Sequence, residues 1–273
     1  MKNNLKCKIN INNFRNILRK ATLNFTFDSV QIIFDSSGNM ISKLTSNINN
    51  PITVINTVNN VLTDKEVIIP NGSFNMDGHD RIEFNFKDPF QTVWPYLNLI
   101  EDEYANIIIY DEKISLISNN QKSEIFYCSP RVVNIFGRES ARDDITYFIQ
   151  FPFTDKFFED FNKIKKIGPR FGKIYFGVKK NKLFMETTDK QNVYSNSLKF
   201  HLGVNSDEDD LTICFDYRNI ENMLTIIDDD YGNYELSLSF LRDKDMGLMY
   251  IHNNDESEKY YFMSVSENTP QSN

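Results

Sequence analysis

Two runs of carboxylates, Asp207-Glu208-Asp209-Asp210 and Asp228-Asp229-Asp230, are the residues whose type and spacing best suit chemistry. Clustered carboxylates can hold Mg²⁺, and a held Mg²⁺ serves phosphoryl transfer. The other parts of such a site are missing from the sequence: there is no P-loop, no Gly-x-Ser-x-Gly elbow and no His-Glu-x-x-His pair. Both runs flank the ends of expected strands and helices, where solvated loops carry carboxylates as a matter of course. His79, His201 and His252 are scattered along the chain. Cys7, Cys128 and Cys214 are isolated, odd in number and without Cys-x-x-Cys spacing; each lies in a strand-like run and reads as a buried free thiol. The expectation is a protein that is not an enzyme, with no catalytic residue, metal or cofactor.

Position then becomes the question. At 273 residues the chain can bury one large core or two of ordinary size. A composition of 40% hydrophobic and 25% charged residues excludes a disordered tail, and 14% aromatics set among Ile and Val favour strands. No apolar run approaches the roughly 18–20 residues of a membrane span. The start, MKNNLKCKIN, lacks the apolar core of a signal peptide, so an intracellular location without a membrane is expected. The net charge of −8 argues against a protein that coats nucleic acid, unless its cations are gathered on one surface.

Four passages share one pattern: LKCKININNFRNILRKATLN from Leu5, IEFNFKDPFQTVWPYLNLIEDE from Ile82, TYFIQFPFTDKFFEDFNKIKKIG from Thr146 and LTICFDYRNIENMLTIIDDD from Leu211. In each, a strand-like run passes through a turn into a short amphipathic helix. Phe14, Ile17, Leu18 and Ala21 fall at i, i+3, i+4, i+7. Phe90, Val93, Trp94 and Leu97 repeat that spacing, with Asp88 as N-cap, Pro89 at the first helical position and a kink expected at Pro95. Phe157, Phe158, Phe161 and Ile164 form the third stripe, and Ile220, Met223, Leu224 and Ile227 the fourth. A helix apolar on one side must lie on a sheet.

Alternating runs follow each helix, broken at turn pairs such as Asn119-Asn120, Lys180-Asn181 and Asn253-Asn254. The unit is therefore strand–helix–three strands, four times over, with Ile48–Gly78 departing from it as a possible insertion. Two units make a domain of α+β class. The expected domains are 1–128 and 145–273, joined by a connector over 129–144, SPRVVNIFGRESARDD.

On these passages the chain resembles the DNA polymerase sliding clamps of the proliferating cell nuclear antigen type and their counterparts in large DNA phages and viruses. Leu5–Lys20 resembles the opening strand and helix of that family. FDSSGNMISKL (Phe34 to Leu44) resembles the strand–turn–strand that follows, LTICFDYRNIENMLTI the last helix and KYYFMSVSE the last strand. The resemblance implies two domains of two βαβββ repeats each, with the helices lining one concave face. It implies a homotrimeric ring around double-stranded DNA, without sequence preference, that tethers a DNA polymerase and is placed by a clamp loader.

The charges of the helices agree in sign. Helix one carries Arg15, Arg19 and Lys20, and helix two only Asp88. Helix three sets Lys156, Lys163, Lys165 and Lys166 against Asp155, Glu159 and Asp160, and helix four sets Arg218 against Glu221. The helices hold +3, leaving −11 for the rest. Phosphate contacts are blind to sequence, as a sliding protein requires. The expected DNA contacts are Arg15, Arg19, Lys20, Lys156, Lys163, Lys166 and Arg218. The resemblance also implies a pocket for partner peptides beside the connector, formed by Met40, Ile41, Val132, Val133, Ile135, Phe136, Val265 and Ser266. The competing reading keeps this fold in a viral protein that acts in transcription or as a scaffold without encircling DNA.

Overall fold

A computed structural model describes residues 5–35, 39–45, 52–59, 61–66, 81–110, 112–119, 121–128, 147, 149–190, 192, 195–205, 210–241 and 246–265. The first repeat comprises β1 (Leu5–Asn10), α1 (Ile11–Ala21), β2 (Ser29–Asp35), β3 (Met40–Thr45), β4 (Ile52–Val58) and β5 (Leu62–Glu66). The second comprises β6 (Arg81–Lys87), α2 (Pro89–Thr92), α3 (Trp94–Asn98), β7 (Tyr104–Ile109), β8 (Lys113–Ile117) and β9 (Lys122–Phe126). In the third are β10 (Ile149–Pro152), α4 (Asp155–Ile164), α5 (Gly168–Phe171), β11 (Lys173–Lys179), β12 (Lys182–Thr188) and β13 (Ser197–Asn205). The fourth holds β14 (Leu211–Asp216), α6 (Tyr217–Ile227), β15 (Tyr234–Leu241), β16 (Met246–Asn253) and β17 (Glu258–Met263). Two compact units result, Met1–Thr45 with Val54–Phe136 and Ser46–Thr53 with Gly137–Asn273.

Within each unit the repeats exchange their first strands. In the first unit β1 pairs antiparallel with β7, Cys7 opposite Ile107, while β6 pairs with β2, Phe84 opposite Ile32. In the second unit β10 pairs with β15, Phe151 opposite Leu236, and β14 with β11, Phe215 opposite Ile174. The strand orders are β5-β1-β7-β8-β9 and β4-β3-β2-β6 in the first unit, and β10-β15-β16-β17 and β13-β12-β11-β14 in the second. Neither repeat of a pair completes its sheets alone, so the two fold as one body.

The helices follow their apolar stripes. Phe14, Ile17, Leu18 and Ala21 of α1 are buried, as are Phe157, Phe158, Phe161 and Ile164 of α4 and Ile220, Met223, Leu224 and Ile227 of α6. The Asn10, Thr154 and Asp216 side chains cap the three helices by accepting from Asn13 N, Phe157 N and Asn219 N at 2.9, 3.3 and 3.0 Å. Around α4 the rings of Phe151, Phe153, Phe157, Phe158 and Phe161 pack with centroids 4.8–6.4 Å apart. At Gly177 a Cβ would lie 2.2 Å from the Leu211 carbonyl oxygen, so the close approach of β14 to β11 requires glycine there.

Four expectations need correction. The first repeat has four strands after its helix: β5 is the addition, and it covers β1, with Leu62 opposite Ile9. Helix two is broken into α2 and α3 at Val93 (φ −120°, ψ −49°), because Pro95 supplies no N–H to carry the ladder through. Phe90 is consequently 54% exposed, away from the buried Val93 and Leu97. Asp88 stands before α2 in the left-handed region (φ 49°) and its side chain makes no capping bond. Cys128 is half-buried beyond β9, bridging to Asn85, whereas Cys7 and Cys214 are buried. No described helix is long and apolar enough to cross a membrane.

Candidate nucleic-acid interface

The expected cations sit on α1, α4 with its C-terminal extension, and the start of α6, and the structure sorts them by how far each is engaged within the protein. On α1, Arg15 is turned inward: its guanidinium donates to the carbonyl oxygens of Leu97 and Ile100, both at 2.6 Å, and to Asn12 Oδ1 at 2.9 Å. Those carbonyls lie at and just past the end of α3, where the last C=O groups lack helical partners. Arg15 therefore ties α1 to α3, and much of its hydrogen-bonding capacity is spent inside the unit. Arg19 is exposed and Lys20 half-buried in the last turn.

On α4, Lys156 and Lys163 close on one carboxylate. Lys156 Nζ is 2.7 Å from both oxygens of Asp160, and Lys163 Nζ is 3.0 Å from one of them. Asp160 is 1% exposed, while the two lysines remain 65% and 51% exposed. Burial alone would raise the Asp160 carboxyl; the hydrogen bonds from Lys156 and Lys163 outweigh it and hold the group below its usual value of 3.8. Lys163 also lies over the Phe200 ring of β13, 5.3 Å from its centroid. Lys166 beyond α4 and Arg218 in the first turn of α6 are exposed.

The Asp160 clasp sets a pH signature. Because its folded value is lowered, the stabilisation is full above the unfolded carboxylate value and is lost as pH falls through the folded one. Asp160→Asn is expected to cost about 1 kcal/mol at neutral pH, since both lysines are largely solvated. Denaturant melts across pH should show that gap closing only below 3.8; a gap that widens in acid would contradict the clasp.

The residues expected to form a peptide pocket are placed unevenly. Met40 is fully buried in the core of the first unit, whereas Ile41, opposite Ile33 on β3, is half-buried. Val265 is 8% exposed and packs with Tyr175 and Cys214. With Phe215, Ile220 and Phe262 it borders a cavity of about 10 Å³. Val132, Val133, Ile135, Phe136 and Ser266 lie outside the described residues, as do His79 and Asp207–Asp209.

Among the described residues no three His, Cys, Asp or Glu side chains gather as metal ligands. Asp210 accepts from Lys180 N at 2.9 Å in a hairpin turn, and Asp228–Asp230 are exposed past α6. Arg170 on α5 is an exposed cation that was not among the expected contacts. The signal was present in the sequence, since Lys163 to Lys173 contains five cations and no carboxylate.

No protein-family model matches the chain, and no curated protein matches it by sequence. Solved structures do match. The A. fulgidus proliferating cell nuclear antigen, bound to the C-terminal region of FEN-1, aligns over 96% of this chain and 97% of its own with TM-score 0.62 at 8% identity. The proliferating cellular nuclear antigen of Entamoeba histolytica aligns over 97% and 99% with TM-score 0.61 at 11% identity. The DNA polymerase III beta chain of Streptococcus pneumoniae gives TM-score 0.64 at 13% identity, this chain spanning 66% of its length. The chain has the sliding-clamp fold.

Proposed function

We propose that this protein is a DNA sliding clamp, a processivity factor without chemistry of its own, whose copies close into a homotrimeric ring around duplex DNA. The observation that carries the reading is the fourfold repeat in the sliding-clamp fold, matched over nearly the full length of two-domain clamps. Its cations support the same use. Arg19, Lys20, Lys156, Lys163, Lys166 and Arg218 lie on or beside three of the repeated helices of a chain whose net charge is −8, so each unit offers phosphate its cations on helices while the rest of the chain is acidic.

Two sheet edges support closure. β13 is nine residues long and forms an edge of its sheet, with Leu198, Phe200, Leu202 and Val204 half-buried. At an edge in the first unit lies β9, which ends on Phe126, 61% exposed. An open edge with apolar side chains invites pairing with another chain. Edges on different units make that contact head-to-tail, and a head-to-tail contact generates a ring when its rotation closes. A polymerase and a clamp loader would dock on the outside, with Ile41 and the connector residues Val132, Val133, Ile135 and Phe136 as the wall that receives their peptides. Such a protein works inside the cell, where DNA is replicated.

The test joins mass to topology. Purified protein should show three chain masses in solution and, once loaded by a clamp loader, remain on circular DNA and leave when the circle is cut. A particle of one chain mass, with no retention on circles, would overturn the reading.

A further inference from the structure

A corner of the second unit gathers cations that the repeat pattern alone does not mark. Between α4 and β11 the chain inserts α5, and the eleven residues from Lys163 to Lys173 hold Lys163, Lys165, Lys166, Arg170 and Lys173 without a carboxylate. This insertion is fixed in place. A Cβ at Gly168 would stand 2.2 Å from the Tyr217 ring, so the first turn of α5 lies directly on that side chain. Tyr217 N donates to the Gly172 carbonyl at 3.0 Å, and the Phe161 ring of α4 stacks on the Tyr217 ring with centroids 6.4 Å apart. Three segments, the end of α4, α5 and the start of α6, thus converge on one residue that is 2% exposed.

Each segment carries an exposed cation: Lys166, Arg170 and Arg218. The Asp216 carboxylate, beside Arg218, accepts from Asn219 N as the cap of α6. Of the other cations on the helices, Arg15 is engaged by two carbonyls and Lys156 and Lys163 by Asp160, while Arg19 stands exposed on the first unit.

Resting on the sliding-clamp reading, we infer that Lys166, Arg170 and Arg218 form the principal phosphate contact of each protomer with duplex DNA, and that Lys156 and Lys163 contribute less. Exposed guanidinium and ammonium groups on short, pinned segments meet phosphate at little ordering cost. Counterion release then makes the contact salt-dependent and indifferent to sequence.

The experiment measures binding of the full-length protein to a short blunt duplex across a salt series. The triple variant Lys166→Ala, Arg170→Ala, Arg218→Ala should bind on the order of 100-fold more weakly, with the slope of log K against log salt reduced by roughly 2–3. The Lys156→Gln, Lys163→Gln pair should change binding by less than about threefold. Circular dichroism guards against misfolding, and all five side chains are exposed enough for substitution without loss of core. If the pair weakens binding and the triple variant does not, the inference falls while the clamp reading stands. If wild-type protein neither binds the duplex nor stays on circular DNA, both fall.

Discussion

Leu202→Glu together with Val204→Glu should leave the chain folded and turn a particle of three chain masses into one of 32.0 kDa. Both side chains are half-buried on β13, where a lone chain leaves them partly in water, so each glutamate can be solvated in the monomer. In the proposed ring the same positions meet the neighbouring protomer. A carboxylate buried there without a partner costs about 3–5 kcal/mol, two to four decades in the association constant of each contact. A ring has three such contacts and cannot retain DNA with one open, so retention on circular DNA should be lost with the mass change. The measurement is light scattering behind size exclusion, with retention assayed on the same preparation. An unchanged threefold mass would remove β13 from the interface. Arg19→Glu is the useful contrast, since it weakens DNA contact without touching the edge.

The parts of this molecule legible in its sequence are those set by local period. The stripes of α1, α4 and α6 repeat every three to four residues, and burial of one stripe on a sheet follows directly. The clasp of Lys156 and Lys163 on Asp160 is local too, at i, i+4 and i, i+3. Where the period was trusted too far, backbone chemistry decided. Phe90 occupies a stripe position, but the missing N–H of Pro95 breaks the helix and leaves that ring in solvent against Phe25, 5.2 Å away.

What the sequence did not disclose is non-local. Arg15 reads as a surface cation because its acceptors, Leu97 and Ile100, lie 82 and 85 residues away. β5 is a short, polar strand with no marked alternation, and it exists because β1 offers an unpaired edge. Arg170 was hidden for the opposite reason. It follows the end of a helix, where attention to helix faces does not reach, although the unbroken run of cations around it was in plain view.

Phe161→Ala should lower the stability of the second unit by about 3–5 kcal/mol, the usual cost of removing a buried phenylalanine from a packed core. The side chain is 1% exposed, and its ring stacks on Phe157 and Tyr217, both at 6.4 Å between centroids. Its removal opens a cavity between α4 and α6, which rest on the β13-β12-β11-β14 sheet, so collapse around the gap is restricted. For a unit of this size the loss corresponds to a fall in Tm of roughly 10–20 °C. Phe157 and Tyr217 both lie in the second unit, and none of the contacts of Phe161 just named lies in the first. Differential scanning calorimetry should therefore show the transition of the second unit moving down while that of the first stays within about 3 °C. Phe14→Ala, the equivalent loss on α1, where Phe14 packs edge-on to Phe34 at 6.4 Å, should do the reverse. Movement of both transitions together in both variants would mean that the units unfold as one body, against this expectation.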